Sequence, residues 1–116
     1  MSFKTLSSEY INQHRYFTAR KDSYQTEAGK IVDPYFVVEL PTGAGAMAIT
    51  ENNEVILIRQ FRYPVKEMLI EIPGGFIDAG EDPEKAIRRE LLEETGYSFQ
   101  SVHLLGKTAL NPGVLN

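Results

Sequence analysis

The chain has no cysteine, which excludes disulfides and thiolate metal sites. Histidine is nearly as scarce. His14 and His103 stand alone in the sequence, and each reads as a structural residue rather than as half of a catalytic or zinc-binding pair. No apolar run approaches the roughly 20 residues that a membrane span needs, and the opening MSFKTLSSEY lacks the apolar stretch of a secretory signal. Internal repeats and low-complexity tracts are missing as well. These absences lead to the expectation of a cytoplasmic protein with no membrane partner, in which 116 residues leave room for one small core.

Basic charge is also in short supply. Twelve Lys and Arg face 16 Asp and Glu, a formal net charge of −4. Broad nucleic-acid affinity rests on phosphate neutralisation by Lys and Arg, so no nucleic-acid partner is expected. A small phosphorylated ligand remains open, because a metal ion can bridge two sets of negative charge.

What the chain does have is concentrated. Residues 78–94 carry seven acids and three bases, which leaves nine of each elsewhere, so the whole net charge sits in one short segment. Like charges on neighbouring helix positions repel. A solvated acidic face is one explanation; a divalent cation, which converts repulsion into coordination, is another.

Strand-like segments occupy most of the remainder. Residues 16–25, 35–40, 44–50, 55–61, 68–72 and 102–110 are rich in β-branched and aromatic residues. EAGK (27–30) and ENNE (51–54) read as turns, the latter closing a hairpin between 44–50 and 55–61. Met47, Met68 and most Phe and Tyr residues fall in these strands, where core packing is the expectation. One helix is clear, over 83–95. Asp82 suits the N-cap, Pro83 the first helical position and Gly96 the position after the last turn. At 3.6 residues per turn, Glu90, Glu93 and Glu94 fall within about 100° of one another beside small Ala86. Ile87, Leu91, Leu92 and Thr95 sweep the adjoining side, which should pack on a sheet. Arg89 stands one turn before Glu93, placed to pair with it.

The loop ahead of the helix adds Pro73, Gly74 and Gly75 directly after a strand, where bare backbone can approach a ligand. From there the chain reads Gly75, five residues, Glu81, seven residues, Arg89-Glu90-Leu91, one residue, Glu93-Glu94, one residue, Gly96. This segment resembles the Nudix box of the Nudix hydrolases. It departs from the family pattern at Tyr97, where an aliphatic residue is usual. VILIRQFRYPV (55–65), EIPGGFIDAGE (71–81) and Pro112, fifteen residues after Tyr97, are similar to the ADP-ribose pyrophosphatase branch.

The resemblance implies an α+β fold: a Nudix α/β/α sandwich with a mixed sheet and a loop–helix–loop catalytic motif. Residues 1–40 would form an N-terminal β extension used for homodimerisation, and 41–116 a Nudix domain lacking its usual C-terminal strands, closing helix and loop glutamate. Glu90, Glu93 and Glu94, with the Gly74 carbonyl, would hold Mg²⁺ or alternatively Mn²⁺. Arg89 would orient Glu93, and Glu81 would brace the loop. Arg59, Gln60, Arg62 and Pro112 would be substrate-binding, although Arg59 and Arg62 could equally be a solvated strand edge. The implied reaction is hydrolysis of the pyrophosphate bond of ADP-ribose or a related nucleoside diphosphate sugar, yielding AMP and ribose 5-phosphate. GDP-mannose cleavage and a non-catalytic nucleotide-binding module are the alternatives.

Overall fold

A computed structural model describes residues 2–116. The chain forms two compact units, one running to Pro41 and including Leu105–Asn116, the other spanning Thr42–Leu104.

The first unit is a three-stranded antiparallel sheet of β1 (Lys4–Asn12), β2 (Thr18–Gln25) and β3 (Ile31–Glu39), in that order. The expected turn at 27–30 closes β2 onto β3: the Thr26 N–H donates to the Lys30 carbonyl, the Lys30 N–H returns to the Thr26 hydroxyl, and Gly29 takes a φ of 81°, which a glycine adopts at little cost. Arg20 ties the strands together by pairing with Asp22 along β2 and with Glu39 on β3. Ser8 on β1 donates its hydroxyl to Asp22 at 2.6 Å. That bond, ahead of the Arg20 contact, holds the Asp22 carboxyl below its ordinary value. Tyr24 stacks edge-on between Phe3 and Tyr35, with ring centroids 5.9 and 5.7 Å away. Along the free edge of β3, Val38 forms a parallel bridge with Leu115.

The second unit holds three two-stranded antiparallel sheets and a helix. β4 (Gly43–Gly45) pairs with β9 (Gly74–Phe76), β5 (Ala48–Ile49) with β6 (Val55–Ile56), and β7 (Ile58–Arg62) with β8 (Glu67–Glu71). The hairpin expected across 51–54 is present but short, its turn closed by Thr50 and Glu54 with Asn53 at φ 60°. Ala44, expected in that hairpin, pairs instead with Gly75.

The helix α1 (Pro83–Thr95) is capped as the sequence dictates. Asp82 accepts from the backbone N–H of Glu84 and Lys85, Pro83 opens the first turn, and Gly96 closes the last at φ 75° while donating to the Leu92 carbonyl. Ala86, Ile87 and Leu91 are buried. Ile87 and Leu91 join Ala48 in the core, with Ala44, Ala46, Ile56, Phe99 and Val102 packed around them. No helix among the described residues is long and apolar enough to cross a membrane.

Three expectations need correction. No strand forms over 102–110, because a strand exists only through a pairing partner and none of the described strands offers one to this segment. Val102 turns inward, while Leu104, Leu105 and Leu110 are exposed. Leu92 is also exposed, since the buried stripe of α1 is narrower than the apolar sweep of its sequence. Finally, Met47, Met68 and many Phe and Tyr residues stand largely exposed. Each small sheet has two faces, and among the described residues a single helix supplies cover.

Candidate active site

The site is built where the glycine pair of β9 meets the acidic edge of α1. Pro73, fully buried, ends the preceding strand and delivers Gly74 and Gly75 to the helix. Gly74 pairs with Gly45 so closely that a Cβ on it would overlap the Ala44 carbonyl oxygen. Its N–H donates to Glu94 Oε2 at 2.9 Å. A Cβ on Gly75 would lie 2.5–2.6 Å from the Glu90 carboxylate. Both glycines are therefore required by close approach: one lets the two short strands meet, and the other makes room for a carboxylate.

Arg89 organises the rest. Its Nε and Nη2 donate to the two oxygens of Glu81, each at 3.0 Å, in a forked pair that matches guanidinium and carboxylate geometry. Nη2 also reaches the Phe76 carbonyl at 3.2 Å. The remaining nitrogen, Nη1, donates to Glu90 at 2.8 Å and to Glu93 at 3.5 Å. The sequence placed Arg89 with Glu93; the structure gives the nearer bonds to Glu81 and Glu90. Glu81 in turn accepts from the Asp78 N–H at 3.0 Å. The guanidinium, and after it the Asp78 N–H, hold the Glu81 carboxyl below its ordinary value. The same pairing, with Glu81 first and Glu90 second, raises the Arg89 pKa.

The three helix carboxylates differ in setting. Glu90 is only 14% exposed and Glu93 is 58% exposed; Glu94 is intermediate and tied to Gly74. Among the described residues, no three His, Asp or Glu side chains form a closed metal cluster. Mg²⁺ does not require one, since it usually keeps several waters beside one or two carboxylates. Glu90 and Glu94 flank a stretch of side-chain-free backbone, and the donor set is entirely hard oxygen. These residues fit such a cation.

The strand residues divide by face. Side chains alternate along β7, so Ile58, Gln60 and Arg62 share one face with Leu69 and Glu71 of β8. Ile58, Gln60, Leu69 and Glu71 are half-buried. Arg62 forks onto Glu71, its Nε lying 2.9 and 3.1 Å from the two oxygens. This bond chiefly, with a further contribution from the charge of Glu94, raises the Arg62 pKa. Arg59 lies on the opposite, exposed face beside Phe61, Met68 and Ile70. Pro112 belongs to the other unit. The structure thus gathers Gly74, Arg89, Glu90, Glu93 and Glu94, places Gln60 and Arg62 together on one face of β7, and leaves Arg59 on the other. Sequence reasoning missed Glu71. Alternation could have found it, because Glu71 shares the parity of Leu69 at the end of an apolar strand.

The chain matches the NUDIX domain over residues 39–113 and the nucleoside diphosphate sugar hydrolase N-terminal domain over 3–38. It is 33% identical over 110 residues to a methanol dehydrogenase activator of Bacillus methanolicus, covering 95% of this chain and 59% of that protein. It is 34% identical over 103 residues to the ADP-ribose pyrophosphatase of Bacillus subtilis, covering 77% of this chain and 56% of the relative. The chain therefore spans somewhat over half the length of these relatives. In fold it is similar to a solved ADP compounds hydrolase, with a TM-score of 0.84 at 24% identity over 99% of this chain and 62% of the other. With the family domain matched over residues 39–113, more than half of this chain, and its signature residues assembled at one loop–helix junction, the chain belongs to the Nudix family.

Proposed function

We propose that this chain carries the catalytic centre of a magnesium-dependent pyrophosphatase that cleaves ADP-ribose or a related nucleoside diphosphate sugar to AMP and ribose 5-phosphate. One observation carries the reading: two helix carboxylates, Glu90 and Glu94, converge on the bare backbone of Gly74 and Gly75. The names of the relatives supply the substrate class.

Glu90 and Glu94, with the Gly74 carbonyl, would hold the cation, and Mn²⁺ would suit the same oxygens. A bound divalent ion neutralises pyrophosphate charge and acidifies water. The protein's own part is positional. Gly74 fixes one oxygen of Glu94, and the other would serve the cation. Arg89 and Glu81 lock the loop onto the helix. Glu93, the most exposed of the three site carboxylates and met by Arg89 at 3.5 Å, keeps the acceptor capacity to take a proton from the attacking water. Arg62 and Gln60, which share one face of β7, would meet a substrate phosphate.

The test is a panel of ADP-ribose, GDP-mannose and a nucleoside triphosphate, each with magnesium or chelator. Magnesium-dependent release of AMP from ADP-ribose is the expected result. Tight binding of ADP-ribose without turnover would instead identify a nucleotide-binding module.

A further inference from the structure

Arg89 divides its bonds between two edges. Nε and Nη2 face Glu81 and the Phe76 carbonyl, all at 3.0–3.2 Å. Nη1 points the other way, to Glu90 at 2.8 Å and Glu93 at 3.5 Å. The first edge bonds groups of the loop. The second edge bonds the very carboxylates assigned above to cation and proton. Without a cation, residues 90–94 would place three negative charges within little more than one turn, and Glu90 is too buried for water alone to screen it.

We propose that Nη1 of Arg89 is the internal counter-cation of the metal-free site, and that Glu90 exchanges this nitrogen for the divalent ion while the Glu81 edge stays locked. The proposal rests on Glu90 being a cation ligand. It makes Arg89 a positioning residue with two separable roles, a permanent clamp on the loop and a removable placeholder at Glu90. The site would then stay assembled when empty, with binding opposed by one positive charge that must be displaced.

The consequence is a sign. If Arg89 only oriented carboxylates for the metal, removing it would weaken metal binding. As a placeholder, it competes. Arg89→Gln should then bind magnesium about tenfold more tightly, the size of one unit charge opposing a divalent ion at about 6 Å under water-like screening. Glu81→Gln, which loosens the clamp and leaves Nη1 in place, should not tighten binding. Calorimetric titration of magnesium into the chelator-stripped 116-residue chain and both variants measures this. A folded Arg89→Gln protein with equal or weaker affinity overturns the proposal.

Because Arg89→Gln also removes the clamp, wild-type protein provides a second readout. In a magnesium titration followed by ¹⁵N NMR of the arginine side chains, the Arg89 Nη signals should shift while its Nε signal stays fixed. Magnesium binding with unmoved Nη signals, or with movement of Nε as well, rejects the exchange alone. No magnesium binding to wild type at all rejects the parent reading, and the exchange with it.

Discussion

Gly74 donates its backbone N–H to Glu94 Oε2 across 2.9 Å, joining the loop to the helix through a residue twenty positions away in sequence. The bond occupies one oxygen of Glu94 and orients the other. Glu94→Gln keeps an acceptor for Gly74 and deletes the charge. We expect a folded protein whose magnesium-dependent turnover falls by roughly two orders of magnitude or more, since metal activation contributes several kcal/mol. Rates measured against magnesium concentration check this, and near-wild-type turnover at saturating metal would refute the metal role. Glu84→Gln breaks only the exposed pair with Arg88 and should cost about 0.5 kcal/mol or less, with activity retained.

Adjacent glycines should fail differently. Alanine at Gly75 meets the end of the flexible Glu90 side chain, whereas alanine at Gly74 meets the backbone of Ala44 and Gly45. Gly75→Ala should therefore keep its fold and lose magnesium affinity by about tenfold or more as Glu90 swings away. Gly74→Ala should separate β4 from β9 and lower Tm by about 10 °C or more. Circular-dichroism melts and metal titration of both variants separate the outcomes. Equal loss of stability in the two would show that Glu90 cannot yield.

These contrasts indicate how far the sequence could be read. Local rules placed α1 to the residue, because Asp82, Pro83 and Gly96 act through the backbone beside them. The glycines, the acidic helix edge and the loop Glu81 were equally legible, their spacing being set by one loop and one helix. Pairing between distant strands was less accessible. Nothing in residues 44–50 shows that Ala44 leaves its hairpin for Gly75, and apolar content at 102–110 cannot supply a strand with a partner. Helix periodicity pairs Arg89 with Glu93, because it encodes i,i+4 neighbours. Its fork onto Glu81 depends on how the loop folds back, which periodicity does not encode.

The Glu81 clamp should give the stability a defined pH dependence. Its carboxyl is held below the ordinary 4.5, first by Arg89 and then by the Asp78 N–H. Such a group binds fewer protons folded than unfolded between the two pKa values. The stabilisation is therefore complete above the unfolded value and is lost as pH falls through the folded one. The Tm difference between wild type and Glu81→Gln, measured in chelator, should stay constant from about pH 8 to 5 and shrink below about pH 4. A gap that persists at the acid end would mean that Glu81 acts through packing rather than charge.

Every described residue of β1 is exposed, among them Leu6, Tyr10 and Ile11, and Phe3, Phe17, Ile31 and Phe36 of the same unit are also open to solvent. So much exposed apolar surface on a three-stranded sheet is more than a small soluble unit ordinarily leaves uncovered. We expect the chain to form a homodimer through residues 1–40. Light scattering at micromolar concentration checks it, and a clean monomer would contradict it. Leu6→Glu with Ile11→Glu should shift the equilibrium towards monomer without disturbing α1.

The two arginines of β7 differ in position by three residues, and an odd separation along a strand puts them on opposite faces. Arg62 shares its face with Gln60 and Glu71, and the charge of Glu94 adds to the rise in its pKa that the Glu71 bond chiefly causes. Arg59 shares the outer face with Phe61. On the proposed reading, a pyrophosphate bound close to Glu94 would be met by Arg62 rather than by Arg59. Arg62→Ala should raise KM for ADP-ribose by about tenfold or more, the loss expected for a charged hydrogen bond to phosphate. Arg59→Ala should leave KM within about twofold. Because Arg62 also holds Glu71, Glu71→Gln serves as the control. If it raises KM as much as Arg62→Ala does, the ion pair shapes the strand and Arg62 makes no contact of its own with substrate. A reversal of the two arginine results would place the substrate on the outer face of β7.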